Sequence, residues 1–216
     1  MDYEDHQKHT RTHVQKKKAV KKRIAFFDFD GTITTKDTLL EFIKFSKGVF
    51  SFYLGFLLHA PFLLAYKLKI ISNQRAKEMV LSFFFKGTPV EKFNSLCREF
   101  GTKVLPDLIR PKAVEEIRRL QAEGYAIVIV SASPQNWISN WAAAMQAELI
   151  ASCLQVNDGL LTGRLDGRNC HGEEKVRRIT EKYLMNEYES IRAYGDTSGD
   201  RPMLKLATEA HYRPFR

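Results

Sequence analysis

The sequence predicts an α/β fold in which a Rossmann-like parallel sheet is flanked by helices. Three short apolar runs, at residues 24–27, 126–130 and 191–194, are typical of strands that are buried on both faces. Segments with helical patterns alternate with these runs, as in a parallel sheet with crossover helices. With 216 residues, of which 44% are hydrophobic, the chain is long enough for one domain with a sizeable core.

Four segments outside these strands have helical patterns: residues 110–124, 133–148, 172–185 and 200–208. In the first segment, Pro111 suits the first helical position and Gly124 marks the end. The second segment begins with Ser133 and Pro134, a pair that is typical of a helix cap.

Two other segments predict further strands. Residues 149–165 have the pattern of a β-hairpin whose turn lies at residues 157–159. Residues 209–215 predict a last strand at the edge of the sheet.

Positive charge is concentrated at the N-terminus. Residues 1–23 hold eight Lys and Arg against three Asp and Glu, which accounts for +5 of the net charge of +9. Because the rest of the chain is only mildly basic, we do not expect it to bind nucleic acid. The tail at residues 1–23 lacks apolar periodicity and is predicted to be disordered, either as a solvated leader or as a polybasic segment on anionic lipid.

The cellular location is predicted from cysteine usage and from the first residues. Three scattered cysteines form no disulfide framework or zinc motif, and the N-terminus has no apolar signal segment. We expect a cytoplasmic protein, with peripheral attachment at the inner face of the membrane as the alternative.

A long apolar segment occupies residues 48–66, where no charged residue lies between Lys47 and Lys67. By length alone it is a transmembrane candidate. A single span, however, would separate Asp28 from every later motif, and Pro61 interrupts the run. We therefore expect a helical hairpin buried within an inserted helical cap, and an interfacial element that touches a membrane is the alternative.

Two carboxylates, Asp28 and Asp30, follow directly on the first predicted strand in "AFFDFDGTIT". Side chains at i and i+2 of an extended chain point the same way, so both should emerge at the carboxyl edge of the sheet, where ligands bind in such folds. Gly31 permits a tight exit with positive φ. Two neighbouring acids require a cation, a shared proton, or both, and Mg²⁺ suits oxygen ligands.

Three later features are expected near the same edge. Ser131 ends the second strand just before a helix, where free N–H groups attract an anion. Lys175 lies near the start of another helix, and Asp196 and Asp200 follow the third strand in "YGDTSGD". Each feature alone is also typical of surface lysines, turns or caps. Their ordered combination indicates one site.

This ordered set resembles the haloacid dehalogenase-like (HAD) superfamily of phosphohydrolases, over residues 24–206. The motifs "AFFDFDGTIT", "SAS", "DGLLTGRL", "GEEKV" and "YGDTSGDRPML" are similar to subfamily IB, which contains phosphoserine phosphatase-like and phosphatidylglycerophosphatase-like enzymes. The resemblance implies a catalytic core at residues 24–34 and 111–216. It implies an inserted α-helical cap of the C1 type at residues 35–110, with residues 1–23 as the basic tail.

The resemblance also implies a phosphomonoester hydrolase that works through a covalent aspartyl-phosphate. Asp28 would be the nucleophile, and Asp30 would act as general acid and then as general base. An acid at position 30 favours phosphate esters over halides, because a halide leaving group needs no proton.

The implied phosphate-binding residues are Gly31, Thr32, Ser131, Ala132 and Lys175. The implied cofactor is Mg²⁺, held by Asp28, the backbone carbonyl of Asp30 and Asp196. Asp200 would be a further ligand or would support the ligands and Lys175.

The substrate stays open at this point. Asp37 lies nine positions after Asp28, where phosphoserine phosphatases have an acidic cap residue, so it would bind a substrate amino group or only cap the helix that begins near Thr38. Ala132 and Ser133 stand where those enzymes usually have two glycines. The apolar segment and basic tail instead favour a lipid phosphate and contact with anionic membrane.

The expected partner is therefore a phosphorylated small molecule or a phospholipid headgroup. The alternative function is a membrane-associated binding or scaffold protein that keeps the fold without turnover. The complete set of acids and lysine argues against that alternative.

Overall fold

The computed structural model describes residues 22–216, so the predictions for the N-terminal tail fall outside the described residues except at Lys22 and Arg23. The strands in this part of the chain are β1 (Lys22–Phe27), β2 (Tyr125–Pro134), β3 (Glu148–Asn157), β4 (Leu160–Asp166), β5 (Tyr188–Gly195) and β6 (Glu209–Tyr212). The helices are α1 (Thr38–Lys47), α2 (Val49–Leu58), α3 (Ala60–Lys67), α4 (Asn73–Phe85), α5 (Val90–Lys103), α6 (Leu105–Leu108), α7 (Pro111–Ala122), α8 (Gln135–Ala144), α9 (Glu173–Lys182) and α10 (Arg201–Leu204).

The strands form one six-stranded sheet in the order β4-β3-β2-β1-β5-β6. β1 is paired in parallel with β2 and β5, and the parallel pairing extends to β3 on one side and β6 on the other. Only β4 runs antiparallel in this sheet, as the second strand of the predicted hairpin. Its turn is Asp158 and Gly159, both with positive φ, as the tightest hairpin turns require. The α/β prediction is confirmed.

The two central strands are buried on both faces because alternate side chains enter two different hydrophobic clusters. In β1, Ala25 and Phe27 belong to one cluster, whereas Ile24 and Phe26 belong to the other. Successive residues of a strand point to opposite faces, so a strand with helices on both sides must be apolar throughout. This is the physical basis of the continuous apolar runs in the sequence.

Helices α1 to α6 form an insertion that leaves and rejoins the sheet at one point. Thr34 and Ile109 are paired as an isolated β-bridge, which brings the two ends of the insertion together. The insertion shares its core with the sheet, since Phe42 of α1 stacks on Trp137 of α8 with ring centroids 4.8 Å apart.

The prediction of a buried hairpin at residues 48–66 is wrong in one respect. The segment does form two helices, α2 and α3, but most of its large apolar side chains are exposed, with Phe50 at 81% and Leu57 at 72% of full exposure. The break lies at His59, and Pro61 is inside the first turn of α3. No single helix among the described residues is long and apolar enough to cross a membrane, although α2 and α3, bent by 62°, meet that criterion as a pair by length and composition.

Two helix boundaries also differ from the prediction. Ser133 and Pro134 end β2 and do not start the helix, and Pro134 has no side-chain donor or acceptor with which to cap α8. The helix predicted over residues 200–208 stops at Leu204, because the chain must turn towards the edge strand β6.

Candidate active site

The site begins where β1 and β5 end side by side. The backbone N–H of Asp28 donates to the carbonyl of Tyr194, which continues the ladder between the two strands. Asp196 follows β5 directly, so its carboxylate meets that of Asp28 at the carboxyl edge of the sheet. The hydroxyl of Thr32 lies 3.1 Å from Oδ2 of Asp28 and 3.3 Å from Oδ1 of Asp196, and it joins the two groups.

Gly31 allows this close approach. It has φ of +82°, and a Cβ atom at this position would lie 2.6 Å from Oδ2 of Asp196. A side chain would therefore strain the backbone and collide with the carboxylate. The sequence-based expectation of a tight exit after the two acids matches this geometry.

Lys175 is the buried cation of the site. It is 1% exposed, and its Nζ lies 2.5 Å from Oδ1 of Asp28 and 2.7 Å from Oδ1 of Asp200. Burial favours the neutral amine, but the two carboxylates outweigh it and raise the pKa of Lys175, so the side chain stays protonated. Lys175 therefore holds a fixed positive charge at the bottom of the site.

The carboxylates respond to this environment in different ways. Burial raises the pKa of Asp28 to about 7, although Lys175 pulls in the opposite direction. Burial also acts on Asp200, but there Lys175 and the hydrogen bonds from Thr197 prevail and lower the pKa. Burial and the charge of Asp200 raise the pKa of Asp196. Lys175 and Arg216 therefore offset only part of the effect of burial on Asp28 and Asp196.

Three carboxylates could hold a divalent cation. Asp28, Asp196 and Asp200 each offer one oxygen, and these oxygens lie within 4.8 Å of one another. Hard oxygen donors in a buried cluster of like charge fit Mg²⁺. Nη2 of Arg216 lies 2.5 Å from Oδ2 of Asp196, so this guanidinium supplies positive charge to one of the three carboxylates.

Asp200 is more fully occupied by protein contacts than the other two. Its Oδ1 bonds Lys175, and its Oδ2 accepts from the backbone N–H and the hydroxyl of Thr197 at 2.9 Å and 2.7 Å. The N–H of Asp196 also points at Oδ2, at 3.2 Å. The sequence left Asp200 as either a further metal ligand or a residue that supports the ligands and Lys175. These contacts favour the second role.

Asp30 is held by the first residue of α1. Its Oδ1 accepts from the backbone N–H of Thr38 at 2.7 Å and from the Thr38 hydroxyl at 2.6 Å. The indole N–H of Trp137 donates to the same hydroxyl at 2.9 Å, so the Thr38 side chain is itself fixed. Asp30 is thereby tied to the insertion, a contact that spacing in the sequence does not indicate.

Ser131 lies next to Asp30 and outside the lining of the cavity. Its hydroxyl is fully buried, lies 3.4 Å from Oδ2 of Asp30, and accepts from the backbone N–H of Ser133. The lining of the cavity at this strand end comes from Ala132 and Ser133. Ser131 therefore reaches the site through Asp30, whereas Ala132 faces the cavity as the phosphate-binding prediction requires.

These groups surround a cavity of about 320 Å³. Its lining joins the sheet edge to the insertion and consists of Asp28, Asp30, Asp37, Tyr66, Asn73, Lys77, Ala132, Ser133, His171, Lys175, Thr197, Ser198, Gly199 and Asp200. Asp28 and Asp30 share this cavity, as the sequence predicts.

Lys77 and His171 are cavity residues that the sequence reasoning missed. Lys77, on α4, donates from Nζ to the carbonyl of Ala132 at 2.8 Å and brings a second amine to the cavity, where burial lowers its pKa. His171 packs so closely on Gly199 that a Cβ there would lie 2.1 Å from the ring. No motif marks either residue, because a lysine on a helix and a histidine in a loop are ordinary surface features in a sequence.

Asp37 caps helix α1 and also lies in the wall of the cavity. Its Oδ1 accepts from the backbone N–H of Leu40 at 3.1 Å, which is the N-cap bond of α1. The same residue lines the cavity that contains Asp28 and Asp30. The capping contact is thus established, and a substrate contact remains a prediction.

The fold therefore places a buried cluster of three carboxylates and a lysine at the carboxyl edge of its sheet, the edge at which α/β enzymes bind their ligands. Residues 25–205 match the family model of the haloacid dehalogenase-like hydrolases, and the chain belongs to that family.

Similar proteins span most of the chain. It is 40% identical to the protein CicA of Caulobacter vibrioides over 195 residues, which cover 88% of this chain and 85% of CicA. It is 28% identical to a probable phosphatase of Mycobacterium tuberculosis over 200 residues, or 86% of this chain and 67% of that protein. The solved structure of a phosphoserine phosphohydrolase-like protein from Francisella tularensis has the same fold, with a TM-score of 0.65, 19% identity and coverage of 87% of this chain and 85% of that one.

Proposed function

We propose that the chain is a Mg²⁺-dependent phosphomonoester hydrolase that works through a covalent phosphate on Asp28. The observation that carries the proposal is the contact between Asp28 and Lys175 in a cavity that also contains Asp30. A carboxylate beside a fixed cation can accept an anionic phosphoryl group, and a second acid within the same cavity can serve the leaving group. The probable phosphatase among the relatives supports the same reaction class.

In the first step, a carboxylate oxygen of Asp28 attacks phosphorus, and the bond from phosphorus to the ester oxygen breaks. Asp30, in its protonated form, gives its proton to that departing oxygen. Thr38 holds Oδ1 of Asp30 through two hydrogen bonds of 2.7 Å and 2.6 Å, whereas Oδ2 has the longer contact of 3.4 Å with the Ser131 hydroxyl, so Oδ2 is the oxygen that carries the proton.

In the second step, water attacks the phosphate on Asp28. Asp30 takes a proton from that water, which regenerates its acid form, and inorganic phosphate leaves with the Asp28 carboxylate restored. Asp30 therefore returns to its starting state in each cycle.

Lys175 and the wall at Ala132 bind the non-bridging phosphoryl oxygens, together with Gly31 and Thr32. Ser131 contributes through its contact with Asp30. When bound, Mg²⁺ would neutralise charge on the phosphoryl group. Its ligands would be Asp28, the Asp30 carbonyl and Asp196, and Asp200 would orient Lys175.

Residues 35–110 act as a cap that closes one side of the cavity and selects the leaving group. The cap supplies Asp37 and Lys77 to the lining, a carboxyl group and an amine that suit the amino and carboxylate groups of an amino acid phosphoester such as phosphoserine. The exposed apolar helices of the same cap suit a lipid phosphate instead. A screen of phosphoserine, sugar phosphates, nucleotides and phosphatidylglycerophosphate, each with and without Mg²⁺, decides between the two classes.

The reaction itself is tested with a generic aryl phosphate. We expect Asp28→Asn to abolish turnover and Asp158→Asn, at the tip of the hairpin, to leave it unchanged, since asparagine tolerates the positive φ of that turn. Undiminished turnover by Asp28→Asn would reject the mechanism.

A further inference from the structure

The outer face of α2 is an exposed apolar stripe. Phe50, Tyr53, Leu54, Leu57 and Leu58 follow the i, i+3, i+4, i+7, i+8 spacing of one helix face, and all five are exposed. The opposite face of α2 packs on α4, where a Cβ at Gly55 would lie 2.4 Å from the ring of Phe84. The stripe is therefore the free side of a helix whose other side is already packed.

The exposed apolar area continues past the bend. Phe62, Leu64, Leu68 and Ile70, on and just after α3, are each more than half exposed. We call these nine residues, 50, 53, 54, 57, 58, 62, 64, 68 and 70, the apolar helix surface. A group of exposed apolar side chains on two successive helices of a folded protein is typical of an interaction site.

The charged residues near the apolar helix surface are mostly basic. Between Glu41 and Glu78 the sequence has no acidic residue and six basic ones. Lys67 and Lys69 are exposed at the far end of α3. A hollow of about 460 Å³ beside His59 adds Arg75 and Arg164, with Glu78 as its one acid. An apolar face with a basic margin is complementary to anionic lipid.

The length and bend of the two helices indicate how they would meet a bilayer. At ten and eight residues, α2 and α3 are about 15 Å and about 12 Å long, whereas the hydrocarbon core is about 30 Å thick. Neither helix can cross it, and the 62° bend keeps the pair from acting as one straight span. Helices of this kind lie in the plane of the interface.

Two other occupants fit less well. Residues 1–21 contain only Met1, Tyr3, Val14 and Val20 as large apolar side chains, too few to cover nine exposed positions. A second copy of the chain would bring its own Lys67 and Lys69 against a margin of the same charge, which is unfavourable.

We propose that the apolar helix surface docks on an anionic lipid bilayer, with the apolar side chains in the interface and the basic margin against the headgroups. α3 also supplies Tyr66 to the lining of the catalytic cavity, so docking would bring that wall of the cavity to the headgroup layer. The docking rests on surface residues alone and does not depend on the proposed hydrolysis.

The test is co-sedimentation of the full chain with vesicles of phosphatidylglycerol and phosphatidylcholine, and with vesicles of phosphatidylcholine alone. We expect the wild type to bind the anionic vesicles. The double variant Phe50→Ser/Leu57→Ser should bind them at least about tenfold more weakly, because the membrane interface no longer buries two large apolar side chains. The matched control, Val156→Ser/Leu184→Ser, alters two exposed apolar residues elsewhere and should bind as the wild type does.

The basic margin is tested in the same assay. Lys67→Gln/Lys69→Gln should weaken binding to anionic vesicles and should make that binding less sensitive to salt. The control Lys112→Gln/Lys205→Gln, at exposed lysines distant in sequence, should change neither the binding nor its salt dependence. All four double variants should keep aryl phosphate turnover, which shows that they fold.

Equal vesicle binding by Phe50→Ser/Leu57→Ser and the wild type would overturn the proposal. The proposal would also be overturned if the wild type does not bind vesicles and forms a dimer that the double substitution dissociates. In that case a second copy of the chain covers the apolar helix surface. Vesicle binding by a protein without aryl phosphatase activity rejects the proposed function and leaves the docking in place. Activity without vesicle binding rejects the docking alone.

Discussion

Lys175 bonds Asp28 directly, with its Nζ 2.5 Å from Oδ1, and both side chains are buried. The same amine bonds Asp200 at 2.7 Å, so one cation serves two carboxylates that would otherwise face each other without compensation. The proposed chemistry and the stability of the sheet edge therefore depend on the same side chain.

Replacing Lys175 with methionine should affect both properties. We expect Lys175→Met to lose at least about 100-fold in kcat for an aryl phosphate, because a preorganised charge on the phosphoryl group is removed. The free energy of unfolding at pH 7 should fall by about 3–5 kcal/mol, since two buried carboxylates lose their partner. Steady-state kinetics and urea unfolding measure the two effects.

Lys182→Met is the matched control on the same helix. Lys182 pairs with Glu148 at the surface, where such a pair contributes at most about 1 kcal/mol. A Lys175→Met protein as active as this control would remove Lys175 from the mechanism.

Asp30→Asn should separate the two chemical steps. An aryl leaving group needs little protonation, so phosphorylation of Asp28 should still occur and release a rapid burst of phenolate. The later attack of water loses its base, so steady turnover should fall by about 100-fold or more. Stopped-flow absorbance measures burst and steady state together, and slow turnover without any burst would contradict the assignment of Asp30.

Metal removal should abolish turnover, and added Mg²⁺ should restore it. A readout independent of activity is the midpoint of thermal unfolding, which Mg²⁺ should raise because the cation binds only the folded arrangement of carboxylates. Asp196→Asn should diminish that rise, since it takes away one of the three clustered acids. An equal rise in Asp196→Asn and the wild type would place the cation elsewhere.

The capping bond of Asp37 predicts a difference between two substitutions. Asp37→Ala should lower the free energy of unfolding by about 1 kcal/mol, because the N–H of Leu40 loses its acceptor. Asp37→Asn should cost far less, since asparagine is an equally good N-cap. Chemical unfolding of the two variants checks this, and an equal loss in both would show that the charge of Asp37, rather than its capping bond, stabilises α1.

Much of the fold and of the site could be predicted from the sequence because both depend on short-range patterns. The apolar runs mark β1 and β2 since each strand must be buried on two faces, and Asp158–Gly159 marks the hairpin because its turn requires positive φ. Asp28 and Asp196 meet because they follow adjacent parallel strands.

The features that the sequence did not reveal depend on how distant elements pack. Lys77 enters the cavity only because α4 lies across the sheet edge, and Thr38 reaches Asp30 only because α1 begins there. The exposure of Phe50 and its neighbours is likewise a matter of packing, since an apolar helix reads the same in a sequence whether its outer face is covered or free. For this reason the buried hairpin was the wrong expectation.

The covalent phosphate on Asp28 can be observed directly. Rapid quenching during turnover, followed by borohydride reduction, converts an acyl phosphate of aspartate into homoserine, which peptide mass spectrometry locates. The account predicts homoserine at position 28 in protein quenched with substrate, none without substrate, and none in Asp28→Asn. Homoserine at another aspartate, or unmodified Asp28 during active turnover, would contradict it.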